Sequence, residues 1–562
     1  MSSAAASASS DASNDSATRR GAIALLALFA LVYLLPLGVR PLSSPDEVRY
    51  GEIAHEMIAS GDWVSPHFNG ARYFEKPVLG HWLNALSVAA LGESPYAVRL
   101  PVALATGLSA LIVFLLSRRF LARSTALLAS AIFLTTVIVA GCGSVAVLDA
   151  FLALCVTAAV AAYYVAISAD TRGHRYTYLA LCGVACGAAF LTKGFIAWAI
   201  PAVVAAPYLV VRRDWRTLLT SPWLPFGVAI LVSLPWAVLI HLREPDFWRY
   251  FVVVEHLQRF AGDNAQHTQP PWFFLAYLPA IGWPWIWLLP AAAIGIRGDG
   301  RHKDFLFYTA LWALMPFLFF SASKGKLLTY VLPCFAPLSI LLAVGLERYW
   351  ASGRTRAFRI ATGLVAALLA LLLILLAASQ AGALGDPAYG AGEHAKLAAV
   401  AALLCVSLAC TIVAFRSRRP ATRLGALTGA AVAFFLPLDI ALPQRSIDVF
   451  APSTAIAHYA TTPADTVLVS DASLAGAVSW ELKRKDVYVV NPGEMDYGLS
   501  YPEASDRKLV GMKLAELIAA NRGVRDILIL CEPGTEKEID SQLPPSTQRS
   551  QDGRVRVLRI PR

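Results

Sequence analysis

The sequence predicts a polytopic α-helical membrane protein, with about thirteen spans and a small α/β domain at its C-terminal end. Three observations carry that reading. Of the 562 residues, 57% are apolar and 15% are charged, against roughly 25% charged in a soluble domain. Apolar stretches of about 20 residues, the length that crosses a bilayer core, recur as far as residue 442. Beyond that point the apolar runs shorten to strand length. Together with a mean hydropathy of +0.56, this excludes a single soluble globule, a fibrous chain and a disordered one.

Residues 1–18 are rich in Ser and Ala, show no apolar period, and are expected to form a disordered cytoplasmic lead. Arg19 and Arg20 then precede the run Gly21 to Val39, which reads as an uncleaved first helix because no small-x-small cleavage site follows it. Further spans are expected near 97–117, 124–141, 147–168, 176–191, 195–211, 222–241, 271–292, 304–320, 328–346, 359–378, 396–415 and 425–442. With the N-terminus inside, every inside loop is basic, with Arg clusters at 118–123, 172–175, 212–216, 297–303, 348–359 and 416–423. The short outside connections offer only Lys193, Lys324 and Lys326, so the positive-inside rule fixes the orientation. An odd number of spans puts residues 443–562 outside, beyond a bundle covering 19–442. The formal charge of +10 therefore reflects topology and implies no nucleic acid. The eight cysteines include no paired set in a polar segment, so no structural disulfide is expected.

Two outside loops are long. Loop 41–96 contains Ser44-Pro45-Asp46-Glu47, a Ser-x-x-Glu capping box with Pro at the first helical position. Tyr50, Ile53, Ala54, Met57 and Ile58 then share one helical face, which predicts an amphipathic helix lying in the membrane interface. Pro77 to Leu91 would be about 22 Å long and cannot cross a core of roughly 30 Å, so it should be interfacial or re-entrant. Loop 242–270 is rich in charged and aromatic residues and could roof a cavity. In 443–562, short runs at 467–469, 487–490, 527–530 and 555–558 alternate with helical periods, which predicts an α/β domain. It carries no nucleotide-binding motif.

Charges inside apolar surroundings are the candidates for chemistry. Asp149 is the single charge between Ser124 and Ala169, and a carboxylate at mid-membrane costs roughly 2.5–3.5 kcal/mol. It reads as a site residue or as a structural cap. Lys193, the only charge between Tyr176 and Val211, is a site residue or a lysine reaching for water. Asp46 either favours a helix dipole or faces Asp149 across a cavity, and Glu47 either closes the capping box or meets substrate. Arg49, Arg72, Lys76, Lys193, Lys324 and Lys326 lie on one side of the membrane, an arrangement suited to a lipid phosphate, although some of them will meet headgroups. Charges in a bundle also mark transport paths, so a lipid-phosphate transporter is the alternative from another class.

The motifs Pro45-Asp46-Glu47-x-Arg49-Tyr50-x-Glu52-Ile53, Ser60-Gly61-Asp62-Trp63, Tyr73-Phe74-Glu75-Lys76-Pro77, Glu255-His256-x-x-Arg259-Phe260 and Lys324-x-Lys326-x-x-x-Tyr330-x-x-Pro333 resemble the bacterial branch of the GT-C glycosyltransferases, relatives of protein O-mannosyltransferases. Within that branch, Asn69-Gly70-x-Arg72-Tyr73-Phe74-Glu75-Lys76-Pro77-x-x-Gly80-x-Trp82-x-Asn84 is most similar to the 4-amino-4-deoxy-L-arabinose lipid A transferases. Val78 and His81 depart from the commoner pattern of that family. The resemblance implies an undecaprenyl-phosphate-linked sugar donor, a lipid A acceptor, an active site on the outer, periplasmic face of the cell inner membrane, and resistance to cationic peptides. A protein O-mannosyltransferase-like activity, or another polyprenyl-phosphate-sugar transfer, is the alternative within the class.

The resemblance maps the first-loop acid onto Asp46 and the phosphate-contacting lysine onto Lys76. With Asp46 and Asp149 as catalytic candidates and Lys76, Arg49 and Lys193 at the donor phosphate, the candidates for other substrate contacts are Glu47, Arg72, Tyr73, Arg259, Lys324, Lys326 and Tyr330. An ionised lipid phosphate needs no general base, so Asp46 would orient the acceptor or pair with the sugar ammonium. No cofactor is obligatory. A divalent metal is left open by Glu75 and His256, a carboxylate and an imidazole in the two long loops. A monomer among membrane lipids is expected.

Overall fold

The computed structural model describes residues 19–258, 267–297 and 300–562. The expected lead 1–18 and Arg259 lie outside them. Among the described residues, nine helices of 19 to 29 residues are long and apolar enough to cross a membrane, making this a multi-pass membrane protein. Two bent pairs raise the number to eleven, so the expected count of thirteen is not reached. The remaining two expected segments are also helical but differ in form. Residues 19–29 run on into a π-helical turn, Ala30–Leu34. Ile196–Val211 has 16 residues and is therefore about 24 Å long, short of a roughly 30 Å core.

The bends have local causes. Arg123–Leu134 and Val137–Ser144 meet at 63°, where the Thr136 hydroxyl donates back to Ile132 O at 2.7 Å and Thr135 donates to Ala131 O, side-chain bonds that compete with the helix ladder. Phe273–Ile281 and Trp285–Ile296 meet at 99° around Gly282 and Pro284, and a proline has no N–H to carry the ladder forward. By contrast Asp149–Ile167 and Arg172–Lys193 form a tight antiparallel hairpin. The second helix also approaches Trp223–Arg243 through Gly183 and Gly187: a Cβ on Gly183 would lie 2.6 Å from Pro225 O, and one on Gly187 2.9 Å from Ala229 O. That four-residue spacing of glycines is how membrane helices bring their backbones together.

In the first long loop, strands β1 (His67–Phe68) and β2 (Ala71–Arg72) form a hairpin. Its turn has Asn69 at φ 52° and Gly70 at φ 63°, the paired positive φ values of a two-residue hairpin turn. The C-terminal segment builds one mixed sheet from β3 (Val467–Asp471), β4 (Tyr488–Val490), β5 (Lys508–Leu509), β6 (Ile527–Cys531), β7 (Gln548–Asp552) and β8 (Val555–Ile560), in the order β5-β4-β3-β6-β8-β7. The first four run parallel and β7 and β8 pair antiparallel. The four short apolar runs of the sequence all fall on strands here, and β3 and β6 are buried along their whole length.

Helix Asp46–Ser60 corrects an expectation. It does not lie exposed in an interface: ten of its residues, among them Glu47, Glu52 and Glu56, are buried. It is packed between Leu79–Leu91 and the domain helix Ala472–Leu482, with the Trp480 ring 3.3 Å from where a Cβ on Gly51 would stand. The capping box is also displaced. Pro45 is the N-cap, the Ser44 hydroxyl donates to Ser473 O at 2.6 Å, and Glu47 accepts from the backbone N–H of Ser43 at 2.8 Å. Ser44 is thus engaged by the docked domain, the Ser43 hydroxyl also donates to Glu47 at 2.9 Å, and among the described residues no side chain caps this helix.

Candidate active site

The hairpin Asp149–Ile167/Arg172–Lys193 turns over a short connection at 168–171, so the start of its first helix and the end of its second finish at the same level. An acid is favoured at a helix N-terminus and a cation at a C-terminus. Asp149 and Lys193 occupy those two positions, and they meet at 2.8 Å. Tyr330, at the start of the helical segment Leu328–Ala351, lies beneath the Lys193 ammonium at 5.7 Å.

One turn into helix Asp46–Ser60, Arg49 reaches back to Asp46 at 2.8 Å, as an i,i+3 pair on one face can. Its second nitrogen contacts the Tyr73 hydroxyl at 3.3 Å and Glu494 of the C-terminal domain. Lys76 donates to Glu75 O at 3.0 Å and to Glu255 of the second loop at 3.2 Å. Lys326 is buried and donates to Gln269 O at 2.8 Å and to Ser323 O.

All of these groups line one cavity of about 990 Å³. Asp46, Arg49, Tyr73, Glu75, Lys76, Asp149, Lys193, His256, Lys326 and Tyr330 from the sequence-based set are brought together in it. Ile196, Phe273, Phe319, Phe320, Leu327 and Leu328 give it an apolar wall. The C-terminal domain closes another side with Ala472, Ser473, Gly493 and Glu494, which follow β3 and β4. In open α/β sheets the carboxyl ends of parallel strands are where ligands are met, and here those ends face the membrane bundle. Such a cavity can take an anion and an apolar chain together, with carboxylates on hand for a cationic or hydroxylated group.

Three predicted contacts do not reach the cavity. Glu47 is fully buried elsewhere: it accepts from Arg99 at 2.6 and 2.7 Å, Arg40 at 2.9 Å and the Ala146 N–H at 2.9 Å. Burial pushes its carboxyl up, but Arg99 and Arg40 prevail and hold it at about 2. Arg72 is turned to Glu244 at 2.5 Å, Glu503 at 2.8 Å and the Tyr501 ring at 4.2 Å. Lys324 is exposed, on the strand-like bridge that Gly325 makes to Thr268, and is not a lining residue. Conversely, Glu494 gave no sequence signal at all, and Glu255 was visible only as a member of a motif.

The metal expectation has a limited basis here. Burial holds the His256 imidazole below its ordinary range, and its Nδ1 lies 2.7 Å from Phe251 O. It thus offers a neutral ring in the same cavity as the Glu75 carboxylate. Two protein donors suit an ion whose shell is otherwise water and fall short of a closed structural site. Among the described residues no group of three or more His, Cys, Asp or Glu could hold a metal.

A multi-pass bundle whose long loops and appended domain enclose a charged cavity with an apolar wall defines a membrane glycosyltransferase of the GT-C class, and residues 19–251 match the dolichyl-phosphate-mannose-protein mannosyltransferase family. Residues 447–559 match the C-terminal domain of the arabinosyl transferase ArnT. The undecaprenyl phosphate-alpha-4-amino-4-deoxy-L-arabinose arabinosyl transferases of Aeromonas salmonicida and Edwardsiella ictaluri are 39% and 41% identical to the chain, over 95% and 96% of it and 98% of each relative. The chain belongs to that arabinosyl transferase family. Its fold is similar to the crystal structure of ArnT from Cupriavidus metallidurans bound to undecaprenyl phosphate, with a TM-score of 0.80 at 24% identity over 96% of this chain and 97% of that one. A more distant likeness, with a TM-score of 0.51 at 12% identity, covers 92% of the chain and 70% of the oligosaccharyltransferase of Archaeoglobus fulgidus.

Proposed function

We propose that the chain transfers 4-amino-4-deoxy-L-arabinose from undecaprenyl phosphate to a phosphate of lipid A, on the periplasmic face of the cell inner membrane, and so confers resistance to cationic peptides and polymyxin. The observation that carries this is the cavity itself. Arg49, Lys76 and Lys193 converge in it beside an apolar wall, which is what a charged phosphate on a long prenyl chain requires. The names of the relatives, and the undecaprenyl phosphate in the Cupriavidus structure, support the donor.

In the proposed reaction a lipid A phosphate oxygen attacks C1 of the sugar, the bond from C1 to the donor phosphate oxygen breaks, and the electron pair leaves with undecaprenyl phosphate. Charge grows on that phosphate, and preorganised cations stabilise it there. Lys76 and Arg49 take that role and Lys193 supports it from the membrane side. The acceptor is already ionised, so Asp46 orients the acceptor or pairs with the sugar ammonium, and Asp149 fixes Lys193. Tyr73, Lys326 and Tyr330 shape the rest of the cavity. No cofactor is obligatory, and no step runs through a metal; a divalent ion held by Glu75 and His256 with water would tie the two long loops together. The N-terminus is cytoplasmic, residues 443–562 form a periplasmic domain, and the unit is a monomer.

The test is mass spectrometry of lipid A from cells with and without the protein. An aminoarabinose mass increment that follows the gene is expected, and its persistence without the gene refutes the assignment. Dialysis of the purified protein against a chelator is expected to leave turnover intact; its loss would make the metal essential.

A further inference from the structure

The Lys76 ammonium has three N–H donors; it donates to Glu75 O at 3.0 Å and to a Glu255 carboxylate oxygen at 3.2 Å, and a Glu75 carboxylate oxygen stands in ion-pair contact at 3.7 Å. Two of these oxygens belong to the residue next to Lys76 in the chain, so they move with it. The third is brought by a residue 179 positions away, on the π-helical segment Tyr250–Gln258 of the second loop. A phosphate oxygen that takes the place of Glu255 gains a charge-assisted bond to the ammonium.

The residues on either side of Glu255 are packed. The His256 ring packs on Phe251 at 4.5 Å and on Phe195 at 5.2 Å, and the Tyr250 ring lies tilted on Tyr497 of the C-terminal domain at 4.0 Å. The Glu255 carboxylate is thus presented to Lys76 by a packed stretch of chain. It is 9% exposed and lines the cavity, so it stays close to whatever lies on Lys76.

We propose that Glu255 is a positioning residue for product release: it holds Lys76 between turnovers, yields it to the donor phosphate, and reclaims it to expel undecaprenyl phosphate. The proposal rests on the reading that Lys76 binds that phosphate. Its selectivity comes from charge. The donor is a phosphodiester with one negative charge, whereas the product is a monoester carrying about −1.5 to −2 at neutral pH, with a second ionisation near 6. A carboxylate a few ångströms away repels the product more strongly than the donor. The same contact therefore tolerates substrate and destabilises spent carrier.

The experiment uses the full-length protein in nanodiscs, with undecaprenyl phosphate as the probe, and compares wild type, Glu255→Gln and Glu255→Asp. Direct binding of the probe is measured alongside single-turnover and steady-state rates. Glu255→Gln is expected to bind the probe about tenfold more tightly and to complete a single turnover at least as fast as wild type, because a charge that repels the product also opposes its development in the transition state. Its steady-state turnover should fall, because release becomes limiting. Glu255→Asp should restore release. Unchanged or weaker binding by Glu255→Gln overturns the proposal and leaves Glu255 a strut for Lys76. A Lys76→Ala variant separates the two readings: if it binds the probe as wild type does, the phosphate role of Lys76 fails; if it binds weakly while Glu255→Gln binds no tighter, only the release role fails.

Discussion

Helix Asp46–Ser60 holds its acids in three ways. On its cavity face Asp46 is half exposed and meets the Arg49 guanidinium at 2.8 Å, beside space a ligand can enter. On its buried faces the outcome depends on the neighbour. Glu47 is enclosed by two arginines and stays ionised at about 2. Glu52 and Glu56 face each other against the C-terminal domain, where burial and like charge push Glu52 well up. Burial, opposed by the Gly70 N–H and by Lys485 and Arg507, places Glu56 at about 7. One helix thus combines an accessible ion pair, a structural ion pair and a proton-holding contact. Residue type does not distinguish them; the groups packed opposite do.

The sharpest way to break this comparison is at adjacent acids. Glu47→Gln leaves Arg99 buried with its partner neutralised, and should cost roughly 3–5 kcal/mol of stability, read as a large fall in the thermal midpoint. Asp46→Asn, one residue away, should stay within about 0.5 kcal/mol while losing most lipid A modification. Similar midpoints for both variants would erase the distinction.

A smaller effect is expected on the cavity side alone. Lys76→Ala should lower turnover by about 10² even at saturating donor, on analogy with a lost oxyanion donor, without changing the midpoint. Recovery of the full rate at saturating donor would leave Lys76 a binding residue only. Asp149→Asn removes a charge-assisted bond worth roughly 1.5–3 kcal/mol, so a tenfold or greater loss is expected in the same assay, and near-normal activity would return Asp149 to a capping role.

The smallest effect concerns pH. Glu56 is held above its ordinary value in the folded protein, so its contribution to stability is full below about pH 4.5 and is lost as pH rises through about 7. The ionised carboxylate is the better acceptor for the Gly70 N–H at 2.9 Å, so the loss comes from the buried charge and not from that bond, and the thermal midpoint should be lower at pH 8 than at pH 6. Glu56→Gln should flatten that difference. Persistence of the full difference in the variant would assign it to another group.

Much of this site is legible in one dimension, and the reason is local. Asp46 and Arg49 pair because they are three residues apart on a helix. Asp149 and Lys193 pair because they bracket one helical hairpin with a short turn at 168–171, so hydropathy and connection length already place them at one level. Glu47 misled because a capping box reads only the nearest turn, whereas its partner Arg99 lies 52 residues on.

The sequence by itself determined the apolar segments, the two long loops, the alternation of strand and helix at the C-terminal end, and the lone charges Asp149 and Lys193 within apolar runs. These follow from hydropathy, charge and spacing within a turn or two. Only the tertiary structure decided that ten candidates share one cavity while Glu47, Arg72 and Lys324 do not, and that Glu494 reaches Arg49 across 445 residues. It also decided that Glu255 meets Lys76. Those pairings depend on how the C-terminal domain and the second loop dock on the bundle, and docking is set by the shape and burial of whole faces, which no local pattern records.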